Sequence, residues 1–279
     1  MYLLFDIGGT KMRIAISNDG LQVDKVTTVE TPQNFEKGLE VIQKAARELA
    51  FDTVPYGVAG GIAGAVGKDR SSLVGSPHLS GWVGKPLVAE LRKMFAAPVF
   101  LENDAVLAGM GEAHDGAGRG FNIVVYVTVS TGVGGARIVN KRVDDKAIGF
   151  EPGHQIIDID RTHIPGAESG TLEDYISGTA VLHETHHKPK EVTDPEFWDH
   201  KAKLLAYGLN NMIVHWSPDV VVLGGSMING DPAISIEKTG QYLREVLKIY
   251  SELPQLKKAE LGDNCGLYGA LEYLKQQRL

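Results

Sequence analysis

The pattern that most constrains the fold of this chain is an apolar strand, a glycine turn and a return strand, which occurs twice. The first copy runs from residue 2 to residue 17, with glycines at positions 8 and 9. The second copy runs from residue 123 to residue 139, with its turn at 130–135. Glycine lets the backbone turn tightly and approach a ligand closely. The repeated pattern therefore predicts an α/β protein with two related lobes.

Strands and helices alternate along the rest of the chain. Further strands are predicted at 23–31, 56–62, 98–101 and 219–223. Apolar residues at helical spacing predict helices at 35–49, 105–113, 172–180, 197–216, 233–250 and 267–276, and the polar segment 184–194 is predicted to be a loop. Since no flexible linker interrupts the sequence, we expect the boundary between lobes to be a hinge near Asn103.

Composition and charge exclude several classes of protein. The 279 residues are 43% hydrophobic and 23% charged, as in ordinary globular proteins, and no apolar run approaches the ~20 residues of a membrane helix. The net charge of −7 argues against binding to nucleic acid or to an anionic membrane. Cys265 is the single cysteine, so neither an intrachain disulfide nor a cysteine-rich zinc site can form. No basic leader precedes the first strand, and we expect a cytoplasmic protein.

The first glycine turn is a candidate phosphate site. Its backbone N–H groups can face a phosphate, Thr10 adds a hydroxyl donor, and Asp6 can hold Mg²⁺ directly or through water. The alternative is a tight hairpin turn in which Asp6 caps a neighbouring amide. The spacing of a P-loop is absent. The residues of this motif are Asp6, Ile7, Gly8, Gly9, Thr10 and Lys11.

The second glycine turn, Thr131-Gly132-Val133-Gly134-Gly135, has the same form, and a purely structural hairpin is again the alternative. A third glycine pair, Gly224-Gly225, follows the strand predicted at 219–223. Two turns in matching contexts, with this pair after a strand, favour a nucleotide held between the lobes.

A third motif, Glu102-Asn103-Asp104, lies where a strand ends and a helix begins. The carboxyl end of a strand is a common position for a catalytic carboxylate. Asn and Asp are also ordinary N-cap residues, and local sequence alone favours the interpretation of the motif as a helix cap.

Acidic and imidazole side chains in the second half could bind sugar hydroxyls. Glu151 and His154 are three residues apart, and a carboxylate can accept from two hydroxyls at once. His154 could instead satisfy local hydrogen bonds, and Glu173 could only complement a helix dipole. A metal site is disfavoured for the remaining histidines of the segment, because no carboxylate geometry accompanies them. These are His183, His186 and His187.

Taken in chain order, these segments resemble the ROK family of sugar kinases and related repressors. The resemblance spans nearly the whole chain. It rests on the two phosphate turns, on Glu102-Asn103-Asp104-Ala105, on Gly153-His154, on the strand Val220-Val221-Val222-Leu223-Gly224-Gly225, and on Ser76-Pro77-His78-Leu79 with Gly81-Trp82.

The resemblance implies an α/β, two-lobed, actin-like (ribonuclease H-like) ATPase fold with a central cleft. The N-terminal lobe is expected to comprise residues 1–103, with the C-terminal helix at about 266–279 packing back on it. The C-terminal lobe is expected to comprise residues 104–265. We also expect a homodimer.

The implied reaction is ATP-dependent phosphorylation of a hexose or N-acetylhexosamine, in which Asp104 is the general base and Mg²⁺ bridges the phosphates. Phosphoryl transfer requires mainly positioning, charge neutralisation and one base. By resemblance, the sugar-binding residues are Gly64, His78, Asn103, Asp104, Glu151, His154 and Glu173. The nucleotide-binding residues are Asp6, Gly8, Gly9, Thr10, Lys11, Thr131, Gly132, Val133, Gly134, Gly224 and Gly225.

The sequence departs from the family pattern at two places. Family members usually carry three zinc-binding cysteines after the histidine, and here Ile164, Gly166 and Thr171 occupy those positions. We therefore expect no zinc, and a loop that needs other support. The family also commonly has an asparagine where this chain has His78, which leaves the identity of the sugar open.

Two other functions remain open. One is a sugar-sensing regulator without catalysis, but the repressors of the family carry an N-terminal helix-turn-helix extension, and the negative charge of this chain disfavours DNA. The other is an actin-like ATPase with a non-sugar substrate. The acidic and histidine side chains at 104, 151, 154 and 173 favour a hydroxylated substrate over this alternative.

Overall fold

The first predicted hairpin forms the centre of a five-stranded sheet. The computed structural model describes residues 1–50, 53–161 and 169–277. The strand order is β3-β2-β1-β4-β7, in which β2 and β3 run antiparallel to their neighbours and β4 and β7 are parallel to β1. The strands are β1 (Tyr2–Ile7), β2 (Lys11–Ser17), β3 (Lys25–Glu30), β4 (Val58–Ile62) and β7 (Val99–Asn103).

Helices cover both faces of this sheet because alternate residues of a strand point to opposite sides. Phe5 and its alternate neighbours pack with α1 (Phe35–Ala50) and α2 (Leu87–Phe95). Leu4 packs on the other face with α3 (Asp104–His114) and α9 (Cys265–Gln276). The fold therefore fixes the β7–α3 junction, where Asp104 lies, from two sides.

A small hairpin, β5 (Ala65–Val66) and β6 (Leu73–Gly75), follows β4. Neither this hairpin nor α2 was predicted from the sequence. The strands β5 and β6 are too short to show a hydrophobic period.

Within the second unit, the second predicted hairpin forms a sheet in the order β9-β8-β11-β12, which matches β2-β1-β4-β7 of the first sheet, and β11 is parallel to both β8 and β12. Its core joins Val125 and Val127 of β8 to Leu205 and Leu209 of the long helix α6. The strands are β8 (Ile123–Val129), β9 (Val133–Val139), β11 (Val220–Gly224) and β12 (Gln255–Lys258). The helices are α4 (Leu172–Ile176), α5 (Gly178–Thr185), α6 (Pro195–Trp216), α7 (Ser226–Asn229) and α8 (Ile236–Val246).

Three predicted segments differ from the structure. The helix expected at 172–180 is two helices, because Ser177 has an extended backbone and its side chain accepts from the backbone N–H of Ala180 as the N-cap of α5. The helix expected at 233–250 is shorter, since Ser235 caps α8 and the helix ends at Val246. Within the predicted loop 184–194, residues Pro189–Glu191 form a single 3₁₀ turn.

The chain divides into two compact units that differ from the predicted lobes. The first unit comprises Met1–Asp115, Arg142–Gly149 and Asp263–Leu279, and the second comprises Gly116–Lys141 and Phe150–Gly262. The strand β10 (Arg142–Val143) therefore belongs to the first unit. The predicted boundary after residue 103 would separate α3 from α9, against which α3 packs so closely that a Cβ at Gly269 would overlap the Leu107 carbonyl oxygen.

No helix in the described part of the chain combines the length and hydrophobicity needed to cross a membrane. The longest of them, α6, has 22 residues and carries charged side chains.

Candidate active site

Asp104 is the first residue of α3 and directly follows the end of β7. The preceding residue, Asn103, is the helix N-cap: its side-chain oxygen accepts from the backbone N–H of Val106 at 3.0 Å. The Asn103 amide group also donates to the Gly64 carbonyl at 2.9 Å. The capping alternative thus describes Asn103, and it leaves the carboxylate of Asp104 available for chemistry.

The electrostatic surroundings of Asp104 suit a proton acceptor. Burial raises the pKa of its carboxyl group, while backbone hydrogen bonds at Ala105 and Asp104 and the nearby His78 lower it. The net pKa lies above the usual value for aspartate. A raised pKa strengthens a carboxylate as a general base.

The first glycine turn lies in the same unit, next to His78. A Cβ at Gly9 would lie 2.5 Å from the Cβ of His78, so the close approach requires glycine at this position. Gly8 closes the hairpin by donating its N–H to the Lys11 carbonyl at 3.0 Å. The first unit thus brings the turn together with His78, and it holds the Asn103–Gly64 pair at the start of α3.

Asp6, near the end of β1, faces Arg13 on β2 at 3.8 Å between Oδ2 and Nη1. Burial is the main cause that raises the pKa of Asp6 to about 7; the negative charges of Asp104 and Asp263 raise it further, and Arg13 opposes them. Gly266, at the start of α9, lies beside this carboxylate, where a Cβ would come 3.0 Å from Asp6 Cγ. Sequence analysis did not assign a role to Gly266.

The carboxylate of Asp6 fits a magnesium ion. Asp6 and Asp104 repel each other electrostatically, and a cation would relieve that repulsion. Mg²⁺ prefers oxygen ligands and commonly uses one or two carboxylates together with waters and substrate phosphates. Among the described residues, no three His, Cys, Asp or Glu side chains form a cluster that could hold a metal.

A buried ion cluster holds the carboxylate of Glu102 in the Glu102-Asn103-Asp104 motif, and sequence analysis missed it. Glu102 is only 2% exposed, and its Oε1 accepts from the backbone N–H of Asn103 at 2.8 Å and from Lys146 Nζ at 3.0 Å. Arg70 contacts the other carboxylate oxygen. The one signal in the sequence was a glutamate directly after the apolar strand predicted at 98–101. The partners come from distant segments, which the sequence could not connect.

In the second unit, Glu173 binds the second glycine turn. Its Oε2 accepts from the backbone N–H of Val133 at 2.6 Å, and a Cβ at Gly132 would lie 2.6 Å from the same oxygen. Gly153 also packs on this turn, since a Cβ there would overlap the Val133 carbonyl. Because Gly153 precedes His154, the turn gathers the two predicted sugar-binding residues His154 and Glu173. Glu151 directly precedes the short 3₁₀ turn Pro152–His154 and is exposed.

The third glycine pair adjoins this turn. Gly225 has φ +90°, and a Cβ there would overlap the Val129 carbonyl. The next residue, Ser226, donates its N–H to the hydroxyl of Ser130 at 3.0 Å. The serines were not predicted as site residues. Thr179 also contacts the turn, through a hydrogen bond from its hydroxyl to the Thr131 carbonyl at 2.8 Å.

Two of the three positions expected to lack zinc ligands, Ile164 and Gly166, lie outside the described residues. The third, Thr171, caps α4 by accepting from the backbone N–H of Asp174 at 3.3 Å. The exposed histidines at 183, 186 and 187 are part of no metal-binding cluster within the described ranges.

The sequence model of the ROK family matches residues 2–277. The chain belongs to the ROK family. This ROK protein is similar to the N-acetyl-D-glucosamine kinase of Pectobacterium carotovorum, with 30% identity over 97% of each chain.

Solved structures of the family have the same fold. The ROK hexokinase from Thermus thermophilus is 28% identical, covers 98% of each chain and has a TM-score of 0.80. A ROK family glucokinase from Streptomyces griseus, solved with glucose and AMPPNP, is 24% identical over 99% of each chain with a TM-score of 0.81. This ROK protein therefore has the actin-like α/β fold predicted from its motifs.

Proposed function

We propose that this ROK protein is a sugar kinase that transfers the γ-phosphoryl group of ATP to a hydroxyl of a hexose or N-acetylhexosamine. The observation that carries the proposal is Asp104, a carboxylate of raised pKa at the β7–α3 junction, in the same unit as a glycine turn and the carboxylate Asp6. The kinase relatives named above support the reaction class.

Asp104 would accept the proton of the attacking sugar hydroxyl. Asn103 holds the start of α3 in place through its cap and its bond to Gly64. We propose that Gly64, His78 and Asn103 bind the sugar on the Asp104 side. Glu151, His154 and Glu173 of the second unit are proposed to bind further hydroxyls, because carboxylate and imidazole groups accept and donate the hydrogen bonds that sugars offer.

The glycine turns are proposed to bind ATP through backbone N–H groups. Thr10 and Lys11 are exposed at the first turn and can add a hydroxyl and a positive charge. The proposed nucleotide residues of the second unit are Thr131, Gly132, Val133, Gly134, Gly224 and Gly225. Asp6 would hold Mg²⁺, directly or through water, and bound Mg²⁺ would neutralise charge on the phosphates.

The deciding experiment measures ADP release by the purified protein with a panel of sugars. The panel contains glucose, mannose, N-acetylglucosamine and N-acetylmannosamine, and Asp104→Asn is the inactive control. The proposal expects ADP release that depends on sugar and that falls at least about 100-fold in the control. Sugar-independent release would instead identify an ATPase, and sugar binding without release would identify a sensor.

A further inference from the structure

A short antiparallel neck joins the two proposed sugar-binding residues of the second unit. It consists of residues 155–158, directly after His154, and residues 170–172, directly before Glu173. The Leu172 N–H donates to the Gln155 carbonyl at 2.9 Å. The N–H groups of Ile157 and Asp158 both donate to the Gly170 carbonyl, at 2.9 and 3.2 Å. The geometry of the neck therefore sets the separation of His154 and Glu173.

The neck is closed by a buried side-chain pair. Tyr175, which is fully buried, donates its hydroxyl to Asp158 Oδ2 at 2.7 Å. Asp158 is 7% exposed. A carboxylate loses its hydration when it is buried, and a hydrogen bond from a donor compensates for that loss. The bond from Tyr175 therefore stabilises Asp158 in its buried position. Burial raises the pKa of the Tyr175 hydroxyl, and the bond to Asp158 raises it further, so Tyr175 remains a donor at neutral pH.

Asp174 fastens the other side of the neck. Its carboxylate accepts from the hydroxyl of Ser169 at 2.8 Å and from the backbone N–H of Thr171 at 3.1 Å. Gly170, with φ +73°, allows the two segments to approach, because a Cβ there would overlap the Asp158 carbonyl. Tyr175 and Asp174 thus hold the neck, while their neighbour Glu173 reaches the second glycine turn.

We propose that Asp158 and Tyr175 are positioning residues for the sugar site, whose hydrogen bond locks the neck and so holds His154 and Glu173 at a fixed separation. Both residues are buried. Their effect on substrate passes through the neck, and the assignment to sugar rests on the proposed function.

The kinetic test removes one hydroxyl from each of two Tyr–Asp pairs in the same unit. Tyr175→Phe opens the lock, and Tyr242→Phe removes the hydrogen bond from Tyr242 to Asp199 between α8 and α6 as the matched control. Tyr175→Phe is expected to raise the sugar KM about tenfold, with kcat and the ATP KM within about twofold of wild type. Tyr242→Phe is expected to leave all three unchanged.

Variants at position 158 distinguish positioning from general destabilisation. Asp158→Asn keeps an oxygen that accepts from Tyr175, so its sugar KM is expected to stay near wild type. Asp158→Ala is expected to match Tyr175→Phe, and the double variant to be no worse than either, because both remove one shared interaction. A sugar KM unchanged in Tyr175→Phe, or changed as much in Tyr242→Phe, would overturn the proposal.

Amide hydrogen exchange tests the lock without any activity. Tyr175→Phe is expected to speed exchange at Ile157, Asp158 and Leu172 by about tenfold, and Tyr242→Phe is not. Unchanged exchange overturns the lock, and faster exchange with an unchanged sugar KM overturns its positioning role. If the wild-type protein releases no ADP with any sugar, the proposed function has failed, and exchange alone then decides whether the lock exists.

Discussion

The two glycine turns share one scaffold and differ in charge. In each hairpin, the second-to-last residue of the first strand pairs with a residue of the return strand. At the first turn this pair is Asp6 and Arg13, which both have ionisable side chains. At the second turn the matching pair is Thr128 and Gly134, which carries no charge. The two hairpins therefore have similar backbone arrangements but different electrostatic environments.

The difference indicates a division of work between the two units. The first turn has two acids, Asp6 and Asp104, whose pKa values are raised chiefly by burial. The second turn offers the backbone N–H of Val133, which is already bound by Glu173. We expect substitutions around the first turn to change chemistry and pH dependence, and substitution of Glu173, which contacts the second turn, to change sugar binding.

The largest effect is expected for Asp104→Asn, which removes the base. We expect kcat to fall roughly 10²–10⁴-fold, with the KM values for sugar and ATP nearly unchanged. Asp115→Asn, at the other end of the same helix, is the control and is expected to behave as wild type. Steady-state kinetics check this, and a near-normal kcat in Asp104→Asn would end its assignment as the base.

Asp6 is expected to make stability depend on pH. Its pKa is about 7 in the folded protein against 3.8 for an unperturbed aspartate, so the native state holds the proton more tightly. The protonated, neutral form of Asp6 contributes to the unfolding free energy in full below about pH 4. This contribution is lost as the pH rises to about 7. Relative to Asp6→Asn, the metal-free wild type should lose about 2–4 kcal/mol of unfolding free energy over this range.

Urea denaturation in EDTA at a series of pH values measures this loss. Thr128→Val, at the matching position of the second hairpin, is the control, because it has no titrating group and should leave the pH dependence unchanged. Parallel curves for wild type and Asp6→Asn would contradict the raised pKa and remove the electrostatic contrast between the turns.

Glu173→Ala tests the role of the second turn. We expect the sugar KM to rise roughly 10- to 150-fold, about 1.5–3 kcal/mol, because a carboxylate that accepts from hydroxyls is lost. Glu173→Gln should be milder, since its side-chain oxygen can still accept from the Val133 N–H. Glu196→Ala removes a glutamate from the first helical turn of α6, and it is the control for a role of Glu173 limited to the helix dipole. Equal effects at 173 and 196 would support that lesser role.

The smallest effect is expected for Lys146→Met, which removes one of the two cations at buried Glu102. Because Arg70 and the Asn103 N–H remain, we expect the unfolding free energy to fall by about 1–2 kcal/mol, which is less than the loss for a fully unpaired buried charge. Lys68→Met, an exposed lysine in the same unit, is the control. Denaturant unfolding measures both. No difference between the two variants would mean that Lys146 does not support the motif.

Much of the fold could be predicted from the sequence because its signals are local. A β-branched run such as 123–129 predicts a strand from its own composition, and glycines after strands predict turns. The family motifs also identified Asp104 and the turns as candidate site residues. The break at Ser177 was missed, because a serine within an apolar helical pattern looks like part of one helix. Only the structure shows that its side chain accepts from the Ala180 N–H and caps a second helix.

What the sequence determined by itself is the repeated hairpin, the order of the motifs and hence the family. Only the tertiary structure decided that Glu102 pairs with Lys146, and that Tyr175 closes the neck through Asp158. Hydrophobic period and turn chemistry act over a few neighbouring residues, so they can be seen in sequence. Pairing of buried polar groups depends on which distant segments meet, because a buried charge is stable only beside the partner that the fold brings to it.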